Sequence, residues 1–184
     1  TSAAPEGART NFDPAEFTNR NNGELVAAFG NFVNRALTFT QRYFESRLPD
    51  AAAAPDADRS HLAAGEAALA RVGEQIEKRR FRAGLEELMA YVRVCNEYLS
   101  VRAPWTARNT TLADCAASSA TCMRKTHLLS IMAYPFMPGA TVKMQEMLGL
   151  PTMPPVWRAP APLPCGHALG EPKLLFAQLE NVMA

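Results

Sequence analysis

Between Leu25 and Leu48 the apolar positions Leu25, Phe29, Phe32, Val33, Ala36, Leu37, Thr40, Tyr43, Phe44 and Leu48 recur three and four residues apart, the signature of an amphipathic helix. Asn22-Gly23-Glu24 starts it and Pro49 ends it; before it, Asp13-Pro14 caps a short helical turn through Phe17. Residues 50–58 read as a loop, after which Ser60 caps a second helix to about Lys78. A third runs from Phe81 to Arg102 with Phe81, Leu85, Leu88, Met89, Val92, Cys95 and Leu99 inward, and Pro104 stops it. Thr110 or Thr111 caps a fourth, in which Leu112, Cys115, Ser119, Cys122, Thr126 and Leu129 form one seam. No segment alternates with period two, so the expected fold is all-α: a bundle of about four long helices over residues 21–133.

The pattern breaks at Tyr134. Nine of the fourteen prolines lie between Pro135 and Pro172. Proline fixes φ and removes a donor, so residues 134–184 are expected to be a Pro-rich arm running extended over a surface. Short helices fit at residues 140–148 and from Pro172 to Val182. Residues 1–20 read as a connector. At 184 residues the chain is long enough for one sizeable core.

Composition narrows the function. No apolar run approaches membrane-spanning length. The net charge of +1 argues against binding nucleic acid by bulk charge, so any such contact is local, and Arg outnumbers Lys 15 to 4. No Gly-rich phosphate loop is present, and the chain carries no visible catalytic residue. Cys95, Cys115, Cys122 and Cys165, with His61, His127 and His167, form no zinc-like spacing, so no metal is expected. Without a disulfide framework the expected home is a reducing compartment, the cytoplasm or an organelle.

Two features carry candidate chemistry. On the first long helix Asn31, Arg35, Thr38 and Arg42 form one polar stripe opposite the apolar face. A merely solvated face has the same spacing, but Asn and Arg carry directed donors and acceptors that match a base edge. Past the third helix stands Ala103-Pro104-Trp105. An aromatic there is either a lid on the bundle end or a rigid platform on which an unpaired base stacks. The basic run Glu77–Arg82 reads as a solvated helix junction.

Phe29-Gly30-Asn31-Phe32-Val33-Asn34-Arg35-Ala36-Leu37, with Asn96-Glu97-Tyr98-Leu99 and Ala103-Pro104-Trp105, resembles the anticodon-binding domain of methionyl-tRNA synthetases. Leu163-Pro164-Cys165-Gly166-His167-Ala168-Leu169-Gly170, then Pro172 and Leu175-Phe176, looks like the C-terminal peptide of that family's eukaryotic and archaeal-like branch. The resemblance implies that Asn31 and Arg35 hydrogen-bond the first base of a CAU anticodon while Trp105 stacks on it, with Pro104 shaping the platform. Asn96 and Tyr98 match a signature beside that site, where orientation of the helix end is expected. Thr38 and Arg42 rest on the stripe alone.

The implied partners are methionine tRNA and a catalytic domain, with neither membrane nor DNA among them. The family's HIGH and KMSKS adenylation signatures have no counterpart here, so ATP and Mg belong to the parent enzyme. The arm is then expected to return toward that missing domain and to be partly unanchored without it. Two alternatives stay open: the anticodon domain of another synthetase (cysteinyl or arginyl), and a non-catalytic scaffold or assembly subunit derived from such a domain.

Overall fold

The computed structural model describes residues 12–50, 56–107 and 111–180. Four long helical runs form the body. The first begins with α1 (Pro14–Arg20), passes through a π-helical segment (Asn21–Gly30), and continues as α2 (Asn31–Tyr43) with no break in the helical backbone. Then come α3 (Asp56–Glu77), α4 (Phe81–Arg102), a single turn α5 (Pro104–Ala107), α6 (Leu112–Ala133) and α7 (Pro138–Met147). Among the described residues there is no strand, only one antiparallel bridge between Arg47 and Ala168.

Asp13 caps α1 as expected, its carboxylate accepting from the amides of Ala15 (2.8 Å) and Glu16 (3.2 Å), with Pro14 in the first turn. Residues 14–20, read as connector, are therefore helical and continuous with the bundle. The far end differs too: α2 stops at Tyr43 rather than Leu48, because Glu45 and Ser46 adopt positive φ (53° and 56°) and turn the chain. Ser60 lies inside α3 rather than at its start, since the helix already begins at Asp56. Thr111 occupies the N-cap of α6 without a side-chain capping bond, and Thr110 lies outside the described residues.

α6 is the centre of the molecule. Nearly every residue from Cys115 to Ala133 is buried, which the three-four seam alone does not require. Its buried hydroxyls are satisfied along the helix: Ser119 donates to the Cys115 carbonyl, Thr126 to Cys122 and Ser130 to His127, at 2.7–2.9 Å. Around it pack Phe29, Phe32, Val33 and Leu37 of the first run and Leu88, Val92, Cys95 and Leu99 of α4. Phe81 and Leu112, expected inward, are 42% and 66% exposed, each at the first position of its helix where no neighbour covers it.

α7 matches the expected short helix. The expected last helix does not form over the described residues: 171–180 are irregular. Extended backbone there lets main-chain groups meet the bundle. Leu48 N–H donates to the His167 carbonyl, Gly166 N–H to Leu48, and Leu169 N–H to Ser46, all at 2.8–2.9 Å. Asn22 clamps Leu179, its amide donating to the carbonyl (2.8 Å) and its oxygen accepting from the N–H (2.9 Å). Phe176 packs edge-on against Phe29, with ring centroids 5.7 Å apart. The arm is thus anchored on the bundle over residues 166–179, not loose.

Candidate nucleic-acid interface

Two pieces of backbone, far apart in the chain, meet at one edge of the bundle. Asn31 and Arg35 lie one helical turn apart on α2; Asn31 is exposed and Arg35 half-buried. α4 ends at Ala103, whose left-handed backbone (φ 35°, ψ 60°) is uncommon for a residue with a Cβ and redirects the chain sharply. Pro104, buried, then starts α5 with its φ already suited to a helix, and Thr106 N–H closes the turn on the Ala103 carbonyl at 2.8 Å. The result is an indole pushed outward: Trp105 is 39% exposed.

The Arg35 guanidinium sits 4.6 Å from the Trp105 ring centroid. That cation–π contact joins the stripe to the platform and leaves Asn31 exposed beside them. Of the remaining stripe, Thr38 is exposed and its hydroxyl donates to Asn34 (3.4 Å), while Arg42 lies 5.5 Å over Tyr43. Neither has a recorded contact with Trp105. A groove of about 560 Å³ opens on the other side of Asn31, between α2 and the arm, lined by Gly30, Asn34, Lys173, Leu174 and Phe176 among others. Its arm residues are not among those the sequence singled out for base contact; they include the Pro172 and Leu175-Phe176 motif, which the sequence reading assigned to the C-terminal peptide.

Asn96 and Tyr98 both face inward. The Asn96 amide donates to the carbonyls of Ala28 and Val92, each at 3.0 Å, so it ties α4 to the π-helical segment just before Asn31. Tyr98 is 1% exposed, and its hydroxyl donates to the Asp58 carboxylate at 2.7 Å. Behind it lies a polar node that the sequence pattern did not reveal. Arg102 reaches from the end of α4 to Asp58 on α3 (3.4 Å) and to Ser118 on α6 (3.1 Å). Lys125, fully buried, stands 5.0 Å from the Tyr98 ring centroid and 5.2 Å from that of Tyr91.

Burial lowers the Lys125 pKa against the partial support of Cys95, Cys122 and Asp58. His61, edge-on to Tyr98 at 4.8 Å, is lowered as well, by burial and then by Lys125. The thiols of Cys95 and Cys122 are pushed up to about 12 by burial, which makes them poor nucleophiles and poor ligands. Among the described residues no group of His, Cys, Asp and Glu is arranged to hold a metal ion.

A family profile described as "Anticodon binding domain of methionyl tRNA ligase" matches residues 48–183. The chain belongs to this family. The profile match begins after α2, but pairwise similarity covers α2 as well. The methionine–tRNA ligase of Porphyromonas gingivalis is 36% identical over 184 residues, 98% of this chain and 27% of that protein. That of Thermobifida fusca is 37% identical over 147 residues, 80% of this chain and 24% of that protein. The free methionyl-tRNA synthetase of Mycobacterium tuberculosis superposes with a TM-score of 0.89 over 97% of this chain and 37% of that one; at 23% identity this establishes the shared helical fold. The chain thus corresponds to 27% or less of these two relatives' length.

Proposed function

We propose that this anticodon-binding domain reads the anticodon of methionine tRNA on behalf of a methionine–tRNA ligase, whose ATP-dependent charging reaction is carried by a catalytic domain outside these residues. The Arg35–Trp105 contact is the observation that supports the reading most: an aromatic face able to stack and a guanidinium able to donate lie 4.6 Å apart, with Asn31 one turn away. An unpaired base enters by stacking on Trp105, and Arg35 and Asn31 meet its polar edge. Cytosine, first base of CAU, suits them, since its carbonyl oxygen and ring nitrogen accept hydrogen bonds and its amino group donates. Thr38 and Arg42 extend the same face toward the phosphates that follow. Asn96 and Tyr98 act from inside, on backbone and helix end.

In this reading residues 21–133 are the recognition bundle, and the arm from 134 lies between bundle and catalytic domain, with Leu174 (74% exposed) and Lys173 on its outer side. ATP and Mg fall to the catalytic domain, and the enzyme works in the cytoplasm or an organelle. The eukaryotic and archaeal-like branch rests on residues 163–170 with Pro172 and Leu175-Phe176, whereas the relatives named above are bacterial.

The test is made in the full-length enzyme. Trp105→Ala should lower tRNA charging at least a hundredfold while ATP–pyrophosphate exchange stays unchanged, because stacking acts only on the RNA (roughly 1–3 kcal/mol for the base itself, more once its hydrogen bonds are lost). An equal fall in both reactions would remove the anticodon role. Equal or absent binding of stem-loops with C or another first base, at low salt, would favour a scaffold instead. Charging governed by an anticodon other than CAU would favour another synthetase.

A further inference from the structure

The Trp105 platform hangs from the last residue of α4. Arg102 is joined directly to Ala103, the residue whose left-handed backbone turns the chain outward, and a non-glycine residue holds that conformation only where its surroundings over-determine it. The Arg102 side chain runs the opposite way. It is 23% exposed, donates from Nε to the Ser118 hydroxyl at 3.1 Å, and pairs with Asp58 Oδ2 at 3.4 Å. Asp58 is completely buried, and Tyr98, one turn back on the same helix, donates to its other oxygen at 2.7 Å. Ser118 is fixed in turn, donating to the Asp114 carbonyl at 2.7 Å. One carboxylate on α3 therefore grips α4 twice, at Tyr98 and Arg102, immediately before the hinge.

Energetics sharpen the assignment. A fully buried carboxylate is costly unless paired, and the Asp58 oxygens accept from a phenol and a guanidinium rather than from water. Apolar residues of similar volume would pack α3 against α4 without that cost. What they would not supply is a directional hold on the terminal residue of α4. We infer that Asp58, acting through Arg102 and Ser118, is a positioning residue for the Trp105 platform: it fixes the end of α4 so that the indole is presented before RNA arrives. The inference rests on reading Trp105 as the stacking surface. Titratable groups that interact with Asp58 besides Arg102 and Tyr98 include Lys125 on α6 and His61 on its own helix.

The experiment uses the 184-residue chain with single tryptophans. Trp157→Phe leaves Trp105 as reporter, and Trp105→Phe leaves Trp157, which packs on α3 against Gly73 well away from the node in sequence. Into each goes Asp58→Asn, which preserves size and the acceptor for Tyr98 but loses the charge that holds Arg102. The expected result is lower steady-state anisotropy and faster acrylamide quenching for Trp105, with both unchanged for Trp157. Binding of a CAU stem-loop should weaken by at least about fivefold, the scale of a compromised stack. Asn31→Ala in the Trp105 reporter is the contrast: RNA binding falls while free-state anisotropy stays put.

If Asp58→Asn does not fold, Ser118→Ala and Arg102→Met carry the same comparison, with Arg102→Lys restoring part of the Trp105 order. Unchanged Trp105 anisotropy and quenching in a folded variant would overturn the positioning role, as would equal loosening of both tryptophans. Loosening of Trp105 alone in a chain whose unsubstituted form ignores every stem-loop would uphold the positioning role and sink the RNA reading.

Discussion

The bundle and the arm are held by different forces. α6 is buried almost all round, and apart from the polar node at Ser118 and Lys125 its packing is mainly apolar and shared among many side chains such as Leu129, Met123 and Met132. α7 at the start of the arm is sunk into the core through Met144, Met147 and Leu148, but beyond it the arm has few deep anchors, Leu169, Leu175 and the edge of Phe176, and otherwise hangs on hydrogen bonds between its main chain and Asn22, Gln41 and the Ser46 carbonyl. Dispersed burial makes a cooperative unit; a few discrete bonds make a segment that opens locally without unfolding the rest. The candidate interface lies where the two meet, with Asn31 bordered on one side by the bundle edge and on the other by the arm groove.

The largest effect that sharpens this contrast is Leu129→Ala in α6, which should cost about 3–5 kcal/mol by leaving a cavity that neighbours on three helices cannot fill. Calorimetry should show one shifted transition. If instead a separate low-temperature transition appeared, the bundle would not be one unit.

Alkaline pH attacks the bundle alone. Native Cys95 and Cys122 keep protons, at about 12, that the unfolded chain releases near its ordinary value of 9.0. The stability they protect is whole below pH 9 and is lost as pH rises toward 12. Tyr91 and Tyr98, also raised by burial, act with the same sign, while the lowered Lys125 opposes them, since its burial cost is relieved as pH rises toward its ordinary value. The midpoint should fall by roughly 5 °C between pH 9 and 10.5. A Cys95→Ala, Cys122→Ala pair that left this slope unchanged would exclude the thiols as its source.

Phe176→Ala should cost about 2 kcal/mol, less than a full core truncation because the ring is half-buried. The loss should appear as faster amide exchange over residues 166–179 with α6 protection intact. Smallest is Asn22→Ala, about 1–2 kcal/mol for two hydrogen bonds to the Leu179 main chain, read as protease sensitivity near the C-terminal end. If either change lowered α6 protection as much as arm protection, the two regions would be one cooperative body.

Much of this was legible in the residue pattern. Three- and four-residue spacing exposed the bundle helices, proline density marked the arm, and Asn31, Arg35 and Trp105 stood out by residue type and by the motifs around them. The π-helical segment was not legible, because one extra residue per turn shifts the helical phase without changing composition. Nor was the early stop of α2 at Tyr43, since Glu45 and Ser46 are not residues that announce positive φ. The last helix was over-read: Pro172 suits a helix start, but the backbone of that segment is committed to partners on the bundle.

The sequence by itself determined where the long bundle helices lie and which residue types stand on their polar faces, because both depend on neighbours within a turn or two. Only the tertiary structure decided that Arg35 lies over Trp105, that Asn96 points inward, and that Asp58, Arg102 and Ser118 converge beneath the platform. Those facts depend on how α3, α4 and α6 are rotated about their axes, and that rotation is set by packing across the whole core.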